Sequence, residues 1–183
     1  MGELADYNLF VFLGGVLLIA AITDFRIQKI PNLLTFPAAS FALAYHCILK
    51  GSSGFLFSSG GIAAGVGLLI IPYLLGGMGA GDAKLMGVVG GVLGVKGVFY
   101  AFLFSAIVGG IYAVVLTFIY RKHFGGFYKK QLTALINFLL IRKYIPHPEE
   151  SGLEKPRLCY GLAIALGTGI YIAFDLSGYA FLS

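Results

Sequence analysis

Asp24 and Asp82 are the residues of this sequence placed to do chemistry. Asp24 ends an apolar run and opens the stretch Asp24-Phe-Arg-Ile-Gln-Lys-Ile-Pro-Asn32. Asp82 follows Gly76-Gly-Met-Gly-Ala-Gly81 and is followed by Ala83 and Lys84. Two carboxyls brought together in a poorly solvated place cannot both ionise easily, so they share a proton. The ionised group then takes a proton from water while the protonated one polarises a carbonyl, which is the chemistry of peptide hydrolysis. The same pair could instead hold a proton or a cation in a transport pathway. Gly76, Gly77, Gly79 and Gly81 permit non-helical backbone and the close approach of another chain. A purely structural reading also stands: a tight interhelical turn in which Asp82 caps the next helix.

The elements that must carry these carboxyls are apolar. The chain has 183 residues, of which 58% are hydrophobic and 11% charged, and its mean hydropathy is +0.90. A soluble domain carries roughly 25% charged residues. A chain this short has too much surface for so few charges to cover in water. A soluble enzyme, a disordered segment, a collagen-like repeat and a coiled coil are excluded, which leaves an integral membrane protein. The net charge of +5 is explained by basic cytoplasmic loops, so no nucleic acid is expected as a partner. Cys47 and Cys159 form no CxxC pair, and no metal site or cofactor is expected. Glu3 and Asp6 occupy the place where a signal peptide would be basic.

Charges are costly in hydrocarbon, so uncharged runs mark candidate spans. Runs of 17, 20, 31, 11, 24 and 17 uncharged residues follow Asp6, Lys29, Lys50, Lys84, Lys96 and Arg157. Five are plausible helices outright. The 11-residue run is either re-entrant or a span closed by Lys96 reaching to the interface. If all six cross, one side holds 11 of the 13 Lys and Arg residues and the other holds only Lys50 and Lys96. If the short run does not cross, the division is 9 against 4. The positive-inside rule favours six spans, with both termini outside and the loops around 24–32, 76–84 and 121–157 in the cytoplasm. Asp24 and Asp82 then lie at one depth, on the cytoplasmic side. The expected fold is all-α: one domain over 1–183, a bundle of six transmembrane helices.

Within the long loop, Leu132, Leu135, Ile136, Leu139 and Leu140 recur at helical spacing. This predicts an amphipathic helix on the cytoplasmic leaflet, with membrane lipid as its partner, or docked on the bundle. Gly61 with Gly65, Gly87 with Gly91 and Gly90 with Gly94 fall at the GxxxG spacing of closely packed helices. His46, inside the second span, is read as a satisfied polar residue.

The wording around the two aspartates resembles the type IV prepilin peptidases, membrane aspartic proteases of the GxGD class. The resemblance rests on Asp24 with Ile30-Pro31-Asn32, and on Gly79, Gly81, Asp82, Lys84 and Leu85. Arg157-Leu-Cys-Tyr-Gly-Leu-Ala-Ile-Ala165 looks like the opening of the family's last span, with Cys159 where the family usually has proline. It implies that Asp24 and Asp82 are the catalytic pair, with Pro31, Asn32, Gly79, Gly81 and Lys84 shaping the site or binding substrate. The implied substrate is a pilin-like precursor with a short basic leader, cut at the cytoplasmic face of the inner membrane. The chain looks like the short, peptidase-only form of tight-adherence (Flp-type) pilus systems; an archaeal preflagellin peptidase is similar. The rival from another class is a proton- or cation-coupled transporter using Asp24 and Asp82.

Helix ends give an expectation for the shared proton. Asp24 closes a helix, where the macrodipole opposes a negative charge, and Asp82 opens one, where free N–H groups favour it. On that reasoning the proton rests mainly on Asp24.

Overall fold

The computed structural model describes residues 2–75, 77–119 and 159–177. Among them the regular structure is helical: α1 Gly2–Ile27, α2 Asn32–Leu74, α3 Ala80–Ile119 and α4 Tyr160–Leu176. Three stretches, Tyr7–Ile27, Asn32–Leu74 and Ala80–Leu116, are long and apolar enough to cross a membrane, and Tyr160–Leu176 is a shorter apolar helix. The expected amphipathic helix and the acidic residues Glu149, Glu150 and Glu154 lie outside the described residues. The chain divides into two units, Met1–Gly110 with Cys159–Ser183, and Ile111–Leu158. The contacts below all belong to the first.

Six expected runs appear here as four helices, because α2 takes in the second and third and α3 the fourth and fifth. Each long helix is broken at one glycine. Gly51 has φ 61° and Gly94 φ 72°, in the left-handed region that glycine enters without steric cost. The chain turns back at both. His46, before Gly51, bonds the Val92 carbonyl at 3.2 Å, and Ser58, after it, bonds the Gly91 carbonyl at 2.9 Å. In an unbroken helix these two side chains would sit roughly 18 Å apart, so the halves of α2 lie side by side against α3. Beyond Gly94, Gly97 faces Tyr171 and Gly109 faces Tyr160, an antiparallel pairing with α4.

Small residues bring the backbones together. Gly61 and Gly90 meet backbone to backbone, and Gly65 lies on the Met86 carbonyl. A side chain at these positions has nowhere to go, which fits the GxxxG spacing. Leu13, Leu69, Leu85, Met86, Val88, Val89, Val98 and Ile164 fill the interior. Leu18, Leu33 and Ile48 point outward and are well exposed. Apolar residues on all sides of a helix are the pattern of a membrane segment. His46 is buried, with Nε2 on Val92 and Nδ1 without a partner, so it is half satisfied rather than fully so.

Candidate active site

Asp24 lies in the last turn of α1. The Gln28 N–H closes that turn on the Asp24 carbonyl at 2.9 Å, and Gln28 leaves the helix with φ 51°. A left-handed residue just past the end is a common way to stop a helix, though usually through glycine or asparagine. The chain then passes through Ile30, whose side chain is buried, to Pro31 and Asn32. Pro31 stands just before α2 with φ −65° and ψ 137°, and its carbonyl accepts from the N–H groups of Leu34 and Thr35.

Asp82 is the third residue of α3. Its Oδ2 accepts the Gly79 N–H at 3.1 Å, and its own N–H donates to the Gly79 carbonyl at 3.1 Å. An acidic third residue reaching back to the N–H just before the helix is half of a capping box. Asp82 is therefore not the N-cap expected of it: it stands inside the first turn and reaches back to the N–H before the helix, a role compatible with chemistry. Gly81 lies against Ile30: a methyl group there would sit 3.0 Å from the Ile30 Cβ. That close packing lets the Gly79–Asp82 turn rest directly on the Ile-Pro-Asn segment.

A second link joins the two segments. The Lys84 ammonium donates to the Asn32 Oδ1 at 2.7 Å and lies 5.2 Å from the centre of the Phe36 ring. Lys84 is thus directed at the other motif, not at its near neighbour Asp82. Pro31, Asn32, Gly79, Gly81 and Lys84 are accordingly brought together with the two aspartates at one end of the helices.

Both aspartates are buried, at 7% and 8% exposure, and they lie within electrostatic range of each other. Burial of this degree is unusual for an ionisable side chain. Each is held by a glycine. The Asp24 Oδ2 accepts the Gly161 N–H from the first turn of α4 at 2.9 Å. Asp24 therefore closes one helix and at the same time faces the open N–H groups of another. The dipole argument that put the proton on Asp24 considered α1 alone, and α4 opposes it. Cys159, at 3.9 Å from the Asp24 carbonyl oxygen, completes the contact with α4.

The residues that sequence reasoning left without a role here are Ile30 and Gly161. Gly161 was visible as part of a motif, but in a chain with 27 glycines nothing marked it as a partner of Asp24. Among the described residues no three His, Cys, Asp or Glu side chains come together as a metal-binding group. An apolar groove of about 620 Å³ between α2 and α3, lined in part by Ala64, Leu68, Ile71 and Phe99, includes neither aspartate.

Residues 11–114 match the type IV leader peptidase family. The chain belongs to that family. The matched stretch contains both aspartates and the bonds that tie their segments together, and it ends before α4. A prepilin leader peptidase/N-methyltransferase of Bacillus subtilis (strain 168) is 38% identical over 114 residues, which take in 56% of this chain and 42% of that protein. The chain thus covers less than half the length of this relative. No solved structure matches. A leader peptidase family and apolar helices identify a membrane protein of protease ancestry, in agreement with the composition.

Proposed function

We propose that this chain is a membrane aspartic endopeptidase that removes the leader from pilin-like precursors, with Asp24 and Asp82 as its catalytic pair. The observation that carries the reading is the pairing itself. Two buried carboxyls from different helices lie within electrostatic range of each other, each accepting a glycine N–H. The name of the Bacillus subtilis relative supports the substrate class.

In this reading one carboxyl is protonated and the other ionised. The carboxylate takes a proton from water, and the oxygen adds to the scissile carbonyl carbon. The carboxylic acid gives its proton to the carbonyl oxygen. Collapse of the tetrahedral intermediate breaks the C–N bond: the amine leaves with a proton from the carboxyl that first accepted one, and the other carboxyl, now ionised, takes back a hydroxyl proton as the new C=O forms. Water is the only co-reactant. Small residues beside Asp82 leave room for an extended substrate backbone.

The chain crosses the cytoplasmic membrane six times, turning at Gly51 and Gly94 on the outer side. The charge division and the two glycine breaks support this count. The site then faces the cytoplasm, where a precursor presents its basic leader, and both termini lie outside. A basic loop and a basic leader repel, so binding relies on apolar packing of the substrate's helix within the lipid rather than on long-range attraction.

Purified protein and a pilin-like precursor test the reading. Asp24→Asn and Asp82→Asn keep the side-chain shape and remove the titratable group. Each should insert normally and release no leader. Substantial cleavage by either variant would sink the paired-carboxyl mechanism.

A further inference from the structure

We propose that the first turn of α4 is a working part of the site: the Gly161 N–H positions the Asp24 carboxyl, and a side chain at Gly161 would displace it. The inference rests on the reading of Asp24 as a catalytic group. It concerns a helix that the family match, ending at residue 114, does not reach.

The need for an outside donor follows from where Asp24 sits. The last turn of a helix offers unpaired carbonyls and no free N–H groups. Nothing on α1 near Asp24 can therefore hold its carboxylate through the backbone. The first turn of a helix has the opposite surplus. Gly161, the second residue of α4, donates to the Asp24 Oδ2 at 2.9 Å. The complementary ends of two helices thus meet through one side chain.

The contact is also sterically closed. A methyl group on Gly161 would lie 2.9 Å from the Asp24 Oδ2 and 3.1 Å from both its Cβ and its Cγ. These separations are shorter than ordinary contact at 3.4 Å, and two of the three atoms touched are near the backbone end of the side chain. Any larger residue would push the carboxyl out of place. Cys159 meets the carbonyl of Asp24 while Gly161 meets its side chain, so α4 grips the residue at both ends. Asp82 has a corresponding donor in Gly79, supplied by its own turn. Asp24 depends on a segment more than 130 residues away in sequence, as the separation of 137 for its bond records.

The test uses three altered full-length proteins in the precursor-cleavage assay: Asp24→Asn, Gly161→Ala, and a form in which glycolic acid replaces Gly161. The last swaps the amide N–H for an ester oxygen and adds no atoms to the side chain. A hydrogen bond to a charged group corresponds to roughly 10–100-fold in rate. The ester form should therefore lose at least about tenfold in kcat, with KM within about twofold and an unchanged thermal unfolding midpoint. Gly161→Ala should lose at least about tenfold in kcat, because the carboxyl must give way to the methyl group at the cost of its hydrogen bond. An ester form that cleaves within threefold of the unaltered protein, beside an inactive Asp24→Asn, would overturn the positioning role alone. A fall in activity that only tracks loss of folded protein would also overturn it. Cleavage by Asp24→Asn would overturn the catalytic pair and this inference together.

Discussion

Replacing Gly65 by alanine should slow cleavage by one to two orders of magnitude while the protein still folds in the membrane. Gly65 lies on the second half of α2, against the backbone of α3. A methyl group there would overlap the Met86 carbonyl oxygen, lie 2.7 Å from the Met86 carbonyl carbon and 3.0 Å from the Gly87 nitrogen. Ordinary contact begins near 3.4 Å. The obstruction is main chain, which cannot swing aside as the end of a long side chain can. The helices must part by about 1 Å, a repacking that costs about 1–3 kcal/mol. Met86 is one turn beyond Asp82 on the same helix, so the displacement reaches the carboxyl. A shift of about 1 Å at a reacting group costs about 100-fold in rate. The measurement is the initial rate of leader release in lipid nanodiscs, with unfolding followed in the same preparation. Gly67→Ala is the matched control, because a methyl group there meets nothing within 4 Å. Equal rates for Gly65→Ala and Gly67→Ala would refute the claim that contact between α2 and α3 sets the position of Asp82.

The Lys84–Asn32 bond should act as a clamp between the two aspartate-bearing segments. Lys84→Gln and Asn32→Ala should each reduce cleavage roughly 3–10-fold, as expected for a single partly exposed hydrogen bond. The double variant should be no worse than either alone, and additive losses would remove the clamp. Single cysteines at Gln28, Ser52 and Gly77, in a background without Cys47 and Cys159, should label from two sides: Gln28 and Gly77 from the cytoplasm, Ser52 from outside. Labelling of Ser52 and Gly77 from the same side would rule out a crossing between them.

The local parts of the site were readable from sequence, and the long-range parts were not. Asp24 and Asp82 stood out because an ionisable group at the end of an apolar run is rare and costly. The glycines before Asp82 announced irregular backbone, and the turn held by Gly79 is there. Lys84 stands two residues from Asp82 in sequence. Its actual partner is Asn32, 52 residues away, and no periodicity encodes such a pairing. The same holds for Gly161. Its N–H is a backbone group common to nearly every residue, so its role exists only once α4 has docked. The joints between spans were hidden for a different reason. Charge-free runs assume that spans are separated by polar loops. At Gly51 and Gly94 the chain reverses within about one residue, so helical structure continues on either side with no loop to see. The 11-residue run between Lys84 and Lys96 looked too short for the same reason: it lies wholly inside α3, and its last turn contains the Gly94 break.

The bond between Asp24 and Gly161 has a consequence for how the chain is assembled. Both aspartates leave the ribosome among the first 82 residues, whereas Gly161 follows nearly eighty residues later. At about 5–20 residues per second, that interval lasts roughly 4–16 s. Throughout it the nascent chain carries both carboxyls into the membrane without the donor that aims one of them. With the Gly161 N–H positioning the carboxyl as proposed, a half-made chain crowded among other inserting proteins cuts poorly, and full activity waits for the last helix.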